Sequence, residues 1–174
     1  MPYLLDTNVF IQAKNLYYGF DVCPGFWDWL DLGNEQNNVF SIEKVRDELI
    51  AGDDELAQWA KNRDLQFFLP PVSTTLPSLE ALSLWAYSGN YEQIAVNNFL
   101  QSADYYLIAQ ALTNDYVVVS HEIIANTTKK IKIPNACINF GVKVMTPYEM
   151  LRTERARFVL HPYPSQPKGS SPLK

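Results

Sequence analysis

The chain has 174 residues, 47% of them hydrophobic, so it can bury one substantial core and fits a single domain better than two. No apolar run approaches the roughly 20 residues of a membrane-spanning helix, and no basic segment precedes an apolar one at the start. We therefore expect a cytoplasmic protein without membrane contact. Cys23 and Cys137 are too few for a disulfide framework and, like His121 and His161, match no metal-ligand spacing. Any metal ion would have to be held by oxygen ligands.

The formal net charge of −5 is distributed unevenly along the chain. Residues 1–120 carry 5 basic and 16 acidic side chains, net −11, whereas residues 121–174 carry 9 basic and 3 acidic, net +6. A cationic end on an acidic body suggests that the last third contacts a polyanion or an acidic partner. Uneven surface charge without a function explains the same distribution, and both interpretations stay open at this point.

Strand and helix patterns alternate along the chain. The first strand begins at Tyr3 and ends in Asp6, and an amphipathic helix is predicted from Pro24 to just before Gly33. A second strand, 39–41, ends at Ser41, which is expected to cap a helix over 42–51. The further predictions are a helix capped by Asp53 or Asp54 and running to 63, a strand or extended connection at 65–69, helices at 79–87, 92–100 and 102–112, strands at 116–120 and 142–146, and a closing helix at 147–160.

This alternation predicts the fold class and the extent of the domain. Strands separated by helices imply a parallel sheet with right-handed crossovers, so we expect a three-layer α/β/α domain with a central parallel sheet over residues 1–160. Residues 161–174 are rich in Pro, Ser and Lys and are predicted to form a flexible C-terminal tail.

Four acidic side chains stand near the ends of the predicted elements. Asp6 follows the first strand and Glu122 lies just past the strongest one, while Glu48 borders the apolar face of its helix and Asp104 lies in a first helical turn. Ligands of open α/β sheets bind at the carboxyl ends of the strands, and the four acids can converge there. Taken singly, each is explained as well by an exposed carboxylate or a helix cap.

A cluster of these acids would require a cation. Several neighbouring carboxylates cannot all stay ionised unless a positive charge offsets their repulsion. A site made of carboxylates alone suits Mg²⁺ or Mn²⁺ better than Zn²⁺. Such an ion polarises a phosphoryl oxygen and lowers the pKa of a bound water, which is the chemistry of phosphodiester hydrolysis.

Five motifs follow one another in a fixed order. They are LLDTNV at 4–9, VRDEL at 45–49, ADYYLIA at 103–109, VVSHE at 118–122 and a closing segment at 142–151. In this order the chain resembles the PIN domain family, as found in VapC-like ribonuclease toxins. The long insert at 17–27 is similar to a PIN-like group of bacterial and archaeal proteins that is catalogued as a domain of unknown function.

The resemblance implies a metal-dependent endoribonuclease with Mg²⁺ or Mn²⁺ in an acidic site. The positions that match the catalytic and metal-binding acids of the family are Asp6, Glu48, Asp104 and Glu122, and those that match its supporting polar residues are Asn8 and Ser120. The fourth acid departs from the pattern, because the family usually has Asp where this chain has Glu122. Whether Glu122 binds a metal ion directly or through water therefore stays open, as does the number of ions.

The resemblance also implies partners. We expect an RNA substrate, a type II toxin-antitoxin pair with a cognate antitoxin, and a possible homodimer. The cations that follow the fourth acid and are predicted to bind RNA are Lys129, Lys130 and Lys132. The alternatives are a catalytically degenerate PIN-like module that binds RNA or protein, and a DNA-directed nuclease. A phosphatase is disfavoured because no second Asp follows Asp6 by two residues.

Overall fold

The computed structural model describes residues 1–159 and is built around a five-stranded sheet whose strands are all parallel. The strand order is β3-β2-β1-β4-β5, with helices packed on the sheet, and the predicted three-layer α/β/α architecture is confirmed. The predicted tail at 161–174 lies outside the described residues. The strands are β1 Tyr3–Leu5, β2 Val39–Ile42, β3 Phe68–Leu69, β4 Val117–Val119 and β5 Val144–Met145.

Helices connect the strands and cover the sheet. Within residues 1–159, none of them is both long enough and apolar enough to cross a membrane. The α-helices are α1 Thr7–Gln12, α2 Pro24–Glu35, α3 Glu43–Ile50, α4 Glu55–Lys61, α5 Leu76–Ser88, α6 Gln93–Gln101, α7 Ala103–Asn114, α8 Ile133–Asn139 and α9 Pro147–Thr153. A π-helical turn at Ala13–Tyr17 extends α1, and a 3₁₀ turn at Ser73–Thr75 precedes α5.

The middle strand, β1, sets the geometry of the carboxyl edge of the sheet. Leu4 is paired with Phe40 of β2 on one side and with Val118 of β4 on the other. All residues of β1 and β4 are buried and apolar, as expected for strands covered on both faces. The backbone N–H of Asp6 donates to Val119 O at 3.0 Å. The loops that follow β1 and β4 therefore start side by side.

Two serines at the starts of predicted helices do not cap those helices. β2 continues through Ile42, and the hydroxyl of the buried Ser41 donates to Leu5 O at 2.6 Å, which ties β2 to β1. Ser102 stands at the N-cap position of α7, but its hydroxyl donates back to Phe99 O at 2.8 Å. The predicted cap of α4 is confirmed for Asp54, which accepts from Ala57 N at 3.0 Å.

Two predicted helix ends are also wrong. α2 continues through Gly33, because this glycine is required for close packing and does not end the helix. A Cβ at Gly33 would lie 2.7 Å from Val39 Cγ2. α9 ends at Thr153 instead of 160, since Arg155 adopts a left-handed φ of 53° and Ala156 N then donates to Leu151 O. Two helices, α1 and α8, were not among the predicted elements.

Candidate functional site

The four predicted acids line one pocket at the carboxyl edge of the sheet, with a volume of about 290 Å³. Each acid comes from a separate part of the chain: Asp6 follows β1, Glu48 lies in α3, Asp104 begins α7 and Glu122 follows β4. The structure thus brings together all four acids that the sequence singles out. Other side chains of the pocket wall include Thr7, Asn8, Gln12 and Lys130.

Asp6 is the most buried of these acids, with 4% of its surface exposed. It occupies the N-cap position of α1, yet its side chain makes no capping hydrogen bond. Instead, Ser120 Oγ donates to Asp6 Oδ2 at 2.9 Å. The helix-cap interpretation of Asp6 is therefore wrong, and its carboxylate is directed by the residue that ends β4.

The two predicted supporting residues connect the loops that carry the acids. Asn8 Nδ2 donates to Ser120 Oγ at 3.0 Å, and Asn8 Oδ1 accepts from His121 N at 3.0 Å. Glu122 N also donates to Ser120 Oγ, at 3.0 Å. Because one hydroxyl serves Asp6, Asn8 and Glu122 together, the start of α1 and the loop after β4 are held in one fixed arrangement.

The electrostatics of the pocket oppose the ionised form of two acids. Burial raises the pKa of Asp6 to about 7, and the negative charge of Asp104 adds to this rise. Burial likewise raises the pKa of Asp104 to about 6, with Glu122 adding to the rise and Lys130 opposing it. A bound cation would favour the ionised forms of both, so the pocket is suited to a positive charge.

Glu48 lies on the exposed side of the pocket. Its carboxylate accepts a short hydrogen bond from the hydroxyl of Thr7, the first residue of α1. This contact joins α3 to α1 across the pocket mouth. Thr7 was not among the predicted site residues. Its position in the first motif, directly after Asp6, is a signal that could have identified it.

Glu122 is neutralised by protein groups. Its Oε1 accepts from Lys130 Nζ at 2.8 Å and from Lys132 Nζ at 2.9 Å, and its Oε2 accepts from Ile133 N at 2.9 Å. Burial alone would raise the pKa of Glu122, but these hydrogen bonds outweigh burial and lower it. Two of the three lysines predicted to bind RNA thus contact an acid of the pocket, while Lys129 is exposed and has no ion pair within residues 1–159.

The pocket offers oxygen ligands, but the side chains are not gathered around a common point. Among residues 1–159, no three His, Cys, Asp or Glu side chains are arranged so that they could hold a metal ion. The available donors, the carboxylates of Asp6, Glu48 and Asp104, are of the type that Mg²⁺ and Mn²⁺ prefer. Binding of an ion would require these side chains to turn toward it from their present orientations.

Three aromatic rings lie beside the acids and were not grouped by the sequence analysis. The ring of Tyr17 stacks on His121 with centroids 5.9 Å apart, and Tyr148 packs edge-on against both rings. Burial lowers the pKa of His121, which favours its neutral form. These residues are far apart in the chain, so no local pattern could have revealed their contact.

Comparison with known proteins gives one match. The family model described as "Domain of unknown function (DUF4411)" matches residues 3–158, which include all the pocket residues described above. No curated protein and no solved structure matches the chain significantly. The chain belongs to the DUF4411 family.

Proposed function

We propose that this member of the DUF4411 family is a metal-dependent endoribonuclease whose acidic pocket hydrolyses RNA phosphodiester bonds. The observation that carries the proposal is the convergence of four acids from four separate elements on one pocket at the carboxyl edge of a parallel sheet. The ordered motifs that resemble PIN domains also support it. The pocket and the motifs contain the same four acids.

The residues that would hold Mg²⁺ or Mn²⁺ are Asp6, Glu48 and Asp104. Their donor atoms are all carboxylate oxygens, and the raised pKa values of Asp6 and Asp104 indicate a site in which a cation is favoured. When bound, the ion would polarise a phosphoryl oxygen and lower the pKa of a coordinated water. Glu122, already paired with two lysines, would not be a primary ligand.

The protein's own groups would orient the reacting parts. Ser120, itself held by Asn8, donates to Asp6, and Thr7 donates to Glu48, so both carboxylates have defined partners in the metal-free protein and would turn from these positions toward a bound ion. Lys130 lines the same pocket and carries an ammonium group that would attract the phosphate. Asp104 is half-buried in the first turn of α7. The positive charge of Lys130 opposes the rise that burial causes in the pKa of Asp104.

A second candidate function is a PIN-like module that binds RNA or protein without cleaving it. The observation in favour is the pairing of Glu122 with Lys130 and Lys132, which replaces one expected metal contact by protein cations. In this case RNA would bind without metal dependence.

The resemblance to toxins further supports a proposal that the endoribonuclease is the toxin of a type II pair, with an antitoxin encoded next to it.

The proposal is tested by incubating labelled RNA with the protein in Mg²⁺, Mn²⁺ or EDTA. We expect cleavage within the strand in either metal and none in EDTA. Asp6→Asn should lower the rate by more than about a hundredfold, because a lost ligand costs more than a lost outer contact. The matched control Asp28→Asn, an exposed acid of α2, should cleave like the wild type.

Three results would count against the proposal. Equal cleavage by wild type and Asp6→Asn would indicate a contaminating nuclease or a different site. Metal-independent binding of RNA without cleavage would favour the binding module. Cleavage of a single-stranded DNA of the same sequence at the same rate would favour the DNA-directed alternative.

A further inference from the structure

A second cavity of about 300 Å³ lies beside the acidic pocket and is not used by the proposed chemistry. It is formed by the end of β2 and the start of α3, by the segment from Leu69 to Leu79, and by the middle of α7. Most of its wall is apolar, from side chains such as Ile42, Leu79 and Ala109. Its volume is in the range of small-ligand sites.

One polar side chain of this cavity has no partner. Gln110 is 6% exposed, and within the described residues its side-chain amide makes no hydrogen bond, although its backbone carbonyl accepts from Asn114. Gln110 lines the cavity and its amide is not fully shut off from solvent, so a group that enters the cavity can hydrogen-bond to it.

The cavity also lies close to the acids along the same two helices. Lys44 and Tyr106 line it, and Lys44 Nζ sits over the Tyr106 ring, 5.3 Å from the centroid. Lys44 precedes Glu48 by about one turn of α3, and Tyr106 follows Asp104 by two residues of α7. One helical turn is about 5.4 Å, so Lys44 of the cavity wall lies roughly one turn along α3 from Glu48 of the acidic pocket.

We propose that this cavity receives one unstacked base of the RNA strand whose neighbouring phosphate lies at the acidic pocket. The amide of Gln110 would hydrogen-bond to the edge of the base, the apolar wall would contact its faces, and the ammonium of Lys44 would face the adjoining phosphate. An apolar side chain of a protein partner would fill the space but leave Gln110 without its hydrogen bonds. The inference rests on the proposed function and names a base-recognition site for it.

The test measures binding of four short RNAs, each of a single base type, to the Asp6→Asn protein, which should bind without cleaving. We expect one base type to bind best and Gln110→Leu in this background to weaken that RNA about tenfold while changing the poorest ligand little. The control Gln58→Leu, an exposed glutamine of α4, should leave all four affinities unchanged. Thermal unfolding without RNA should show no loss of stability in Gln110→Leu, because the amide has no partner within the fold.

The outcomes separate this inference from the proposed function. If wild type cleaves RNA in Mn²⁺ but Gln110→Leu binds all four RNAs like its parent, the cavity holds only water and the base site is refuted while the nuclease stands. If no RNA is bound or cleaved, both proposals fall. A large loss of stability in Gln110→Leu would show that the amide is needed by the fold, and would also overturn the inference.

Discussion

The carboxylate of Asp6 is buried although it makes no capping hydrogen bond to α1. It caps no helix, and its side-chain hydrogen-bond partner is Ser120, a residue that also serves Asn8 and Glu122. Burial and the neighbouring Asp104 raise its pKa to about 7. A buried acid with a strongly raised pKa in a pocket is typical of a binding or catalytic site.

We predict that Asp6→Asn stabilises the metal-free protein above pH 6. Because the folded pKa is about 7 and the ordinary value is 3.8, the folded state binds more protons between these values, and stability falls as pH rises through them. Asn keeps the acceptor for Ser120 but carries no charge, so the free energy of unfolding at pH 7.5 should rise by on the order of 2 kcal/mol. Urea denaturation in EDTA at pH 5 and pH 7.5 measures this change, and an equal loss of stability at both pH values would contradict it.

Glu122 is predicted to affect stability in the opposite direction. Its folded pKa is lowered, so its charge contributes stability that is fully present above the ordinary pKa and is lost as pH falls through the folded value. Glu122→Gln removes the attraction to Lys130 and Lys132 and should lower the free energy of unfolding by about 1 kcal/mol at pH 7. The loss should become smaller as the pH falls and the carboxylate is protonated, and a gain of stability at pH 7 would show that burial outweighs the two lysines.

The cleavage rate of the same variant measures how much Glu122 contributes to activity. If Glu122 only pairs with lysines or orients water molecules around a second ion, Glu122→Gln should lose less activity than Asp6→Asn. High Mn²⁺ should then partly restore the activity of Glu122→Gln. Rates in rising Mn²⁺ measure this. A loss equal to that of Asp6→Asn would make Glu122 a primary ligand, and wild-type activity would leave a three-acid site.

At the scale of elements, apolar runs predicted the central strands, whereas the partners of single polar residues were not predictable. β1 and β4 are continuous apolar segments, and their burial follows from that pattern. Ser41 fits a helix cap in sequence, but the neighbouring strand offers its hydroxyl the carbonyl of Leu5. Local propensity cannot reveal a partner 36 residues away.

The acids were predictable because each one lies near the end of an element, but their pairing was not. The lysines that hold Glu122 reach it through the irregular segment before α8, whose path no sequence period describes. α8 itself carries no charged side chain, and its first backbone N–H, at Ile133, donates to Glu122. Because this hydrogen bond is a tertiary contact, no local sequence pattern predicted α8.

The segment between β4 and α8 allows a prediction about RNA binding. Changing Lys129, Lys130 and Lys132 together to Ala should weaken binding of every RNA sequence. The slope of log K against log salt concentration should become shallower by about 2, because each phosphate contact on a single strand contributes about 0.7. The matched triple variant replaces the exposed cations at the end of the chain's described part, Arg152, Arg155 and Arg157. Salt titrations of both variants in the Asp6→Asn background measure the slopes. A flattened slope only in the arginine variant would place the RNA path along the end of α9 and the segment that follows it.

At the scale of the whole molecule, the uneven charge of the chain is partly balanced inside the fold. The acidic part, residues 1–120, supplies three acids of the pocket, and the basic part supplies Glu122 together with its lysines. Lys130 lines this pocket and opposes the rise that burial causes in the pKa of Asp104. Some of the positive charge that suggested a polyanion in the sequence thus stabilises the protein's own acids.

The central claim is that Asp6, Glu48 and Asp104 form a divalent-cation site, and calorimetric titration with Mn²⁺ at pH 6.5 tests it most directly. We predict saturable binding accompanied by proton release, seen as a heat that differs between two buffers, because the pKa values of Asp6 and Asp104 are about 7 and about 6 in the metal-free protein. Asp6→Asn should lose this binding and Asp28→Asn should keep it. Binding that is absent in the wild type, or that is unchanged in Asp6→Asn, would contradict the account.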